Sequence, residues 1–296
     1  TGATNSAVGY FALTANTTGL RNTAAGSQAG QSITTGNYNT ALGQNAIPTA
    51  TTASYNTGLG DSSLYLTTTG AQNTAVGQAS LYSNTTGSYN IAVGDNCLVY
   101  NTTASHNTAV GSQAAYNNTT GEFNTAVGRQ TAYNTTTGSH NTSVGYYALA
   151  ANTTGSYNTC VGSKTLDANT TGTDNIAIGY ETLTTNTTGT RNVGVGNYAV
   201  DAITTGSQNV ALGYKALGSV TTGNYNTAIG DEAAEFTTGS WNTAVGNDAL
   251  YDNTSGEYNV AIGGQALSNN TTADKSVAVG YDALLTNTTG TYNNAV

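Results

Sequence analysis

A motif of 17 residues recurs along the whole chain. Each copy carries a version of Asn-Thr-Ala-Val-Gly, followed by a version of Ala-Leu and then of Asn-Thr-Thr-Gly. A unit this short cannot bury an apolar face alone and must stack on its neighbours, as the units of a solenoid do. The motif is numbered here from its first asparagine, which is replaced by serine in one copy, at Ser276. The other copies begin at Asn5, Asn22, Asn39, Asn56, Asn73, Asn90, Asn107, Asn124, Asn141, Asn158, Asn175, Asn192, Asn209, Asn226, Asn242, Asn259 and Asn293.

The composition of the motif favours strands over helices. Fewer than ten residues separate its glycines, and threonine, valine, isoleucine, asparagine and tyrosine are mediocre helix formers. Position 5 is glycine in every complete copy and position 15 is nearly always glycine, so we place corners there and strands at about positions 1–4 and 7–10. We predict an all-β parallel solenoid, a β-roll with one coil per motif and about 17 coils. At about 4.8 Å per coil, it would form a rod on the order of 80 Å long.

One copy is shorter than the others. Asn226 and Asn242 lie 16 residues apart, and we place the missing residue at position 12, just before the Thr237-Thr238-Gly239 turn. Turns tolerate such deletions better than strands do, because a slip within a strand turns its side chains to the opposite face.

The charged residues follow the motif strictly. All six basic and 15 acidic residues fall at positions 6, 7, 10, 11, 16 or 17, which we interpret as solvent rows. The charge-free positions are expected to form rows hidden from water, with large residues at positions 2, 4 and 9 and small ones at positions 3 and 8. Neighbouring strand residues point to opposite faces, so one row fills the coil and another contacts a second chain. We therefore predict a side-by-side homo-oligomer, with three chains favoured by closed symmetry.

The overall composition limits the partners. A net charge of −9 with only six basic residues disfavours nucleic acid and anionic membrane surfaces. No apolar stretch is long enough to insert into a membrane. The chain opens and closes inside a motif, so we expect residues 1–296 to be a single repetitive segment of a longer fibre protein.

No catalytic, cofactor or metal site is predicted. Cys97 and Cys160 occupy positions otherwise filled by small residues, and we interpret both as buried small side chains. His106 and His140 share position 17 but lack companions that would complete a zinc site. Acidic pairs such as Asp231-Glu232 have no acid-base partner, so we do not expect an enzyme.

Aromatic residues gather at position 17. They could form a surface that contacts glycans on a host or prey cell, or they could stack between neighbouring coils without any ligand, which we favour. This candidate contact row comprises Tyr38, Tyr55, Tyr89, Phe123, Tyr157, Tyr225, Trp241, Tyr258 and Tyr292.

The asparagines also allow two interpretations. At position 1 they are expected to form ladders that hydrogen-bond to one another and to turn backbone. The Asn-Thr-Thr turn also creates sequences that can accept N-linked glycans in a suitable host. These acceptor sequences include Asn16, Asn84, Asn101, Asn152, Asn169, Asn186 and Asn287.

The opening of the motif resembles the head repeat of trimeric autotransporter adhesins, Asn-Ser-Val-Ala-Ile-Gly. Residues 5–9 (Asn-Ser-Ala-Val-Gly) and 276–280 (Ser-Val-Ala-Val-Gly) are the nearest matches. The longer unit, as in residues 280–290, is similar to repeats in large surface or fibre proteins of bacteria and phages. The resemblance implies a left-handed parallel β-roll trimer at the cell surface or in a virion fibre.

Two functional hypotheses follow. The first is a structural and adhesive shaft of an extracellular fibre, carried by a bacterium or a phage tail, that presents binding ends and makes many weak contacts. The second is an ice- or crystal-binding solenoid that uses the Thr rows at positions 13 and 14 as a template. Adjacent strand residues point oppositely, which makes a flat face there a poorer expectation.

Overall fold

The chain folds into two compact units, Thr1–Thr154 (unit 1) and Gly155–Val296 (unit 2), in a computed structural model that describes residues 3–296. Unit 1 holds β1 (Ser6–Val8), β2 (Thr23–Ala25), β3 (Thr40–Leu42), β4 (Thr57–Leu59), β5 (Thr74–Val76), β6 (Ile91–Val93), β7 (Thr108–Val110), β8 (Thr125–Val127) and β9 (Thr142–Val144). Unit 2 holds β10 (Thr159–Val161), β11 (Ile176–Ile178), β12 (Val193–Val195), β13 (Val210–Leu212), β14 (Thr227–Ile229), β15 (Thr243–Val245), β16 (Val260–Ile262), β17 (Val277–Val279) and β18 (Asn294–Ala295). No helix occurs between residues 3 and 296.

Within each unit the strands pair in parallel, each with the strand of the next coil. Thr108 of β7 lies opposite Thr125 of β8, and Val110 lies opposite Val127, so the register advances by one motif. Equal motif positions therefore stack directly on one another. The predicted all-β solenoid of 17-residue coils, about 17 in number, is confirmed.

The second predicted strand is wrong. Positions 6–11 form consecutive turns, because positions 7 and 9 adopt left-handed backbone angles, as in Ala79 (φ 51°) and Leu81 (φ 50°). The turn segment still bonds to both neighbouring coils. The N–H of Ala79 donates to the carbonyl of Asp61 and that of Leu81 donates to the carbonyl of Cys97, each at 2.9 Å. The stack is thus hydrogen-bonded on this side without a second sheet.

Glycine at position 5 meets two requirements at once. Gly111 has φ +131°, a conformation that side chains strain, and a Cβ there would lie 2.5 Å from the carbonyl oxygen of Gly128. Position 15 shows only the second requirement: a Cβ on Gly121 would lie 2.2 Å from the carbonyl oxygen of Gly138, and no left-handed φ occurs. Both predicted corners therefore require a close backbone approach, and only position 5 also requires a positive φ.

The core of each coil is small. The leucine at position 9 fills it, as Leu81 and Leu98 do with no exposed surface, and alanines at positions 3 and 8 line the remaining walls. Full burial of one such leucine stabilises a fold by roughly 1.5–3 kcal/mol. Most coils thus contribute one large apolar side chain to the interior, whereas position 9 is alanine at Ala115, Ala132 and Ala234.

Two asparagine ladders complete the interior. In the coil from Asn73, Nδ2 of Asn73 and Nδ2 of Asn84 both donate to the carbonyl oxygen of Gly87, at 2.9 and 3.0 Å. Between coils, Oδ1 of Asn73 accepts the backbone N–H of Asn90 at 3.0 Å. Such bonding satisfies polar groups that burial would otherwise penalise. The predicted ladder at position 1 is confirmed, and position 12 forms a second one.

The short copy loses a different residue from the one we expected. Thr237 is fully buried and its N–H donates to the carbonyl of Ala234 at 3.1 Å, as position-12 residues do in other coils. The Thr238 hydroxyl then donates to the carbonyl of Thr254, as position-13 threonines do. The absent position is therefore 14, which is exposed. Deleting an exposed turn residue spares the interior ladder.

Candidate interaction surfaces

The first and third residues of every strand, at positions 2 and 4, form a surface that we call the outer β face. The middle residue of each strand from β2 to β17 is buried, whereas its two neighbours are half-buried or exposed. Val110 is 37% exposed and Leu212 is 47% exposed. The structure thus decides between the two candidate rows: the small row at position 3 fills the coil, and the large row faces outward.

Charge-free positions are not all hidden. Positions 2 and 4 are partly exposed, and so are the threonines at positions 13 and 14, such as Thr119 and Thr120. Position 13 excludes charge because its hydroxyl bonds along the stack, as Thr119 Oγ1 does to the carbonyl of Thr136 at 2.9 Å. Nothing in the structure explains the absence of charge at position 14. The expectation of uniformly hidden rows was therefore wrong for these four positions.

The aromatic row is stacked where rings occupy neighbouring coils, as the sequence predicts. The rings of Tyr38 and Tyr55 lie 4.8 Å apart and 6° from parallel. Trp241 stacks at 4.0 Å on Tyr225 and at 6.1 Å on Tyr258. All nine aromatic residues of the row are exposed to solvent.

One run of four stacked rings contains both histidines. Tyr89, His106, Phe123 and His140 follow one another with centroids 4.9, 4.9 and 5.0 Å apart. A ring inside such a run has both faces covered, so a sugar could approach only its edge. This geometry favours a stabilising role. The row as a ligand surface remains a prediction.

Neither histidine lies in a metal-binding arrangement. Among residues 3–296, no group of three or more His, Cys, Asp or Glu side chains could hold a metal ion. The two cysteines are free and buried. Cys97 Sγ donates to the carbonyl of Ala109 at 3.3 Å, and burial raises its pKa to about 12. Burial also raises the pKa of Cys160. Both thiols are therefore protonated at neutral pH and shielded from reagents.

Most position-12 acceptor asparagines cannot carry a glycan in the folded chain. Asn84, Asn101, Asn152, Asn169 and Asn186 have no exposed surface. Nδ2, the atom that a glycan would modify, donates to a carbonyl inside the coil, at 3.0 Å from Asn101 to Ala104. A sugar at this atom would displace the ladder.

Charged residues occupy the predicted solvent rows, with one partial exception. Lys164 Nζ lies 3.1 Å from Glu181 Oε1 on the surface. Glu235 is only 8% exposed and lies 3.1 Å from Lys215, and this hydrogen bond raises the pKa of the lysine. Surface pairs of this kind contribute little to stability.

A groove runs along unit 1 between motif positions 11 and 13, over the buried position 12. We call it the Thr groove; its volume is about 540 Å³, and it is lined by Ser83, Tyr100, Thr102, Asn117, Thr119, Asn134, Thr136, Ala151 and Thr153. The groove cannot be predicted from any single row of the motif, because it lies between two rows. One signal was available: segments 82–86, 99–103, 116–120, 133–137 and 150–154 contain no charged residue.

Across residues 3–296 there is no helix with the length and apolar character of a membrane span. In comparisons with known proteins, neither a family model nor a curated protein matched the chain.

Proposed function

We propose that the chain is a shaft segment of an extracellular fibre, on a bacterial surface or in a phage tail. Its task would be mechanical: to hold a binding end away from the cell or virion and to add many weak surface contacts. The resemblance of residues 5–9 to adhesin head repeats supports this proposal. So does the hydrogen bonding of each coil to its neighbours, which suits a stiff, repetitive element.

The observation that carries the proposal is the outer β face. A solenoid that functions alone would be expected to place charges on an exposed sheet face, which limits association. Here the face carries threonine, valine, isoleucine and leucine, and Val127 (36% exposed) and Ile178 (39% exposed) are typical. We infer that this face packs against copies of the same chain.

The size of the face approaches that of such an interface. Nine strands in unit 1, each with two outward residues, place 18 side chains on it. A standard stable interface uses roughly 20–30 residues on each side. A trimer is the favoured state, because closed cyclic symmetry covers the apolar rows of every chain.

Sedimentation equilibrium tests this inference. We expect the wild-type chain to be trimeric at micromolar concentration and the double variant Val110→Lys, Val127→Lys to be monomeric. Thr103→Lys with Thr120→Lys is the matched control, because it places the same charges on exposed position-14 residues of neighbouring coils. A stable, soluble wild-type monomer, or equal dissociation of both double variants, would contradict the proposal.

Localisation follows from the same proposal and has its own test. An antibody against the chain should label intact cells or purified virions of the source, without permeabilisation. Labelling that requires permeabilised cells and is missing from virions would exclude an extracellular fibre.

The ice- or crystal-binding alternative has one supporting observation, the exposed threonines at position 14. The position-13 row supports it less, because hydroxyls such as that of Thr119 already donate to backbone carbonyls. Thermal hysteresis separates the two functions. Strong thermal hysteresis by the isolated chain that is lost in the double variant Thr103→Lys, Thr120→Lys would favour the ice- or crystal-binding function.

A further inference from the structure

We propose that the Thr groove of unit 1 binds a neutral, linear glycan that lies along the stack of coils. This inference rests on the contact-making part of the proposed function and names its ligand class. It uses residues at positions 11 and 13, which are separate from the outer β face. Its volume, about 540 Å³, lies within the range of roughly 300–1,000 Å³ that ligand sites occupy.

The charge of the groove selects the ligand class. All nine lining residues are uncharged, and so are the residues beside them at positions 10 and 14 of the same coils. The corresponding position-10 row of unit 2 carries Asp167, Asp201 and Glu235 instead. No basic side chain is present here to pair with a phosphate, sulfate or carboxylate, and the net charge of −9 opposes anions. The ligand is therefore neutral.

The hydrogen-bonding groups that line the groove indicate that the ligand is a polyol. The hydroxyls of Thr102 and Thr119 donate to the carbonyls of Thr119 and Thr136, at 3.1 and 2.9 Å, so their oxygens are oriented as acceptors toward a ligand. On the other wall, Asn117 Nδ2 donates to Asn134 Oδ1 at 3.0 Å, which leaves donors on Asn134 and an acceptor on Asn117. A wholly apolar ligand would desolvate these groups without pairing them, whereas sugar hydroxyls pair with both kinds.

An aromatic ring and the row geometry complete the fit. Tyr100 is 46% exposed beside the groove, and the apolar C–H face of a sugar packs on such a ring. The walls repeat with each coil, so a chain of similar sugars meets similar groups repeatedly. Five coils contribute to the lining, which extends on the order of 20 Å at about 4.8 Å per coil.

Isothermal titration with named probes tests the inference. Cellohexaose, maltohexaose and chitohexaose are the neutral probes, and hexagalacturonate is the acidic one. We expect at least one neutral hexamer to bind, the acidic hexamer to bind at least about tenfold more weakly, and affinity to rise with oligomer length until the chain matches the groove. No binding by any neutral hexamer at millimolar concentration would overturn the proposal, as would equal binding of the acidic one.

Groove variants localise the site. Asn117→Trp should fill the groove and weaken binding at least about tenfold, because position 11 already accommodates bulky rings at Tyr100 and Phe236. Asn269→Trp, at position 11 outside this groove, is the matched control and should bind as wild type does. Equal binding by both variants would place any glycan elsewhere and overturn the assignment.

The same variants separate this inference from the shaft proposal. Asn117→Trp should leave the sedimentation behaviour unchanged, whereas Val110→Lys with Val127→Lys should dissociate the bundle and leave glycan binding intact. A monomeric wild type that binds a neutral hexamer would contradict the bundle alone. A trimer that binds none would contradict the groove alone.

Discussion

Nδ2 of Asn107 donates a hydrogen bond to the carbonyl oxygen of Gly121 at 2.8 Å, across 14 residues of chain. This bond joins the start of a coil to its final turn. Oδ1 of the same asparagine accepts the N–H of Asn124 at 2.9 Å, which ties the coil to the next one. One buried amide thus closes a coil and fixes its stacking.

Replacing this amide should destabilise the fold. In Asn107→Ala the N–H of Asn124 loses its acceptor inside the coil, which costs about 1–3 kcal/mol of unfolding free energy. Asn134→Ala, at the exposed position 11, should change that free energy by less than about 0.5 kcal/mol. Urea denaturation followed by circular dichroism measures both. Equal losses in the two variants would show that the ladder adds nothing beyond a surface bond.

Glycine at position 5 should tolerate no side chain. Gly111→Ala combines a left-handed φ of +131° with a Cβ 2.5 Å from a neighbouring backbone carbonyl, so we expect a loss of at least about 3 kcal/mol. Gly264→Ala is the control, because its Cβ would lie 3.2 Å from the ring of Tyr281 and 3.9 Å from the carbonyl oxygen of Asn247, and its φ is not positive. Thermal unfolding should show a large decrease in midpoint for the first and a small shift for the second. A native-like Gly111→Ala would refute the backbone argument.

The two cysteines should be inert until the chain unfolds. Both are buried, and the pKa of Cys97 is raised to about 12, so little thiolate forms at neutral pH. We expect negligible reaction with a disulfide reagent in native buffer and reaction of two thiols per chain in guanidinium. Ser112→Cys, at an exposed position, supplies a thiol that should react at once. Rapid native labelling of the wild type would mean that the coils open readily.

One carboxylate should oppose folding at neutral pH. Desolvation raises the pKa of the half-buried Asp201, and the nearby Glu235 adds to the effect. An acid whose pKa is higher in the folded state contributes stability at low pH, and this is lost as the pH rises from its ordinary pKa of about 3.9 through the raised value.

We therefore expect Asp201→Asn to melt at a higher temperature than the wild type at pH 7, with the difference disappearing below about pH 3. Asp95→Asn is the exposed control and should melt at the same temperature as the wild type, both at pH 7 and below about pH 3. A lower midpoint for Asp201→Asn at pH 7 would reverse the assigned sign.

Much of this architecture is readable from the motif. Its period predicts parallel coils stacked in register. The invariant glycine at position 5 predicts a corner, and the asparagines at position 1 predict a hydrogen-bonded ladder. Gly111, Asn107 and their equivalents in other coils confirm the corner and the ladder. The charges at positions such as those of Lys164 and Glu181 predict solvent rows. These features depend on local chemistry that recurs in each coil, so a comparison of the copies of the motif suffices to interpret them.

Other features depend on how the coil closes. Leu81 and Ala79 have no intrinsic preference for left-handed backbone, and only the closed coil imposes it, so the predicted second strand was wrong. Only the closed coil shows that position 12 faces inward, as Asn84 does in its bond to Gly87, and that position 14 faces outward. The burial of Thr237 then identifies position 14 as the one that the short copy lacks.

The sequence by itself determined the period, the parallel stacking and the separation of charged from uncharged rows. The tertiary structure alone decided that the alanines fill the coil while the larger strand residues face outward, and that rows 11 and 13 border a groove. The physical reason is that strand alternation specifies two faces without saying which lies inside. Only the closed coil, with room for one leucine and a few alanines, excludes the larger side chains from its interior.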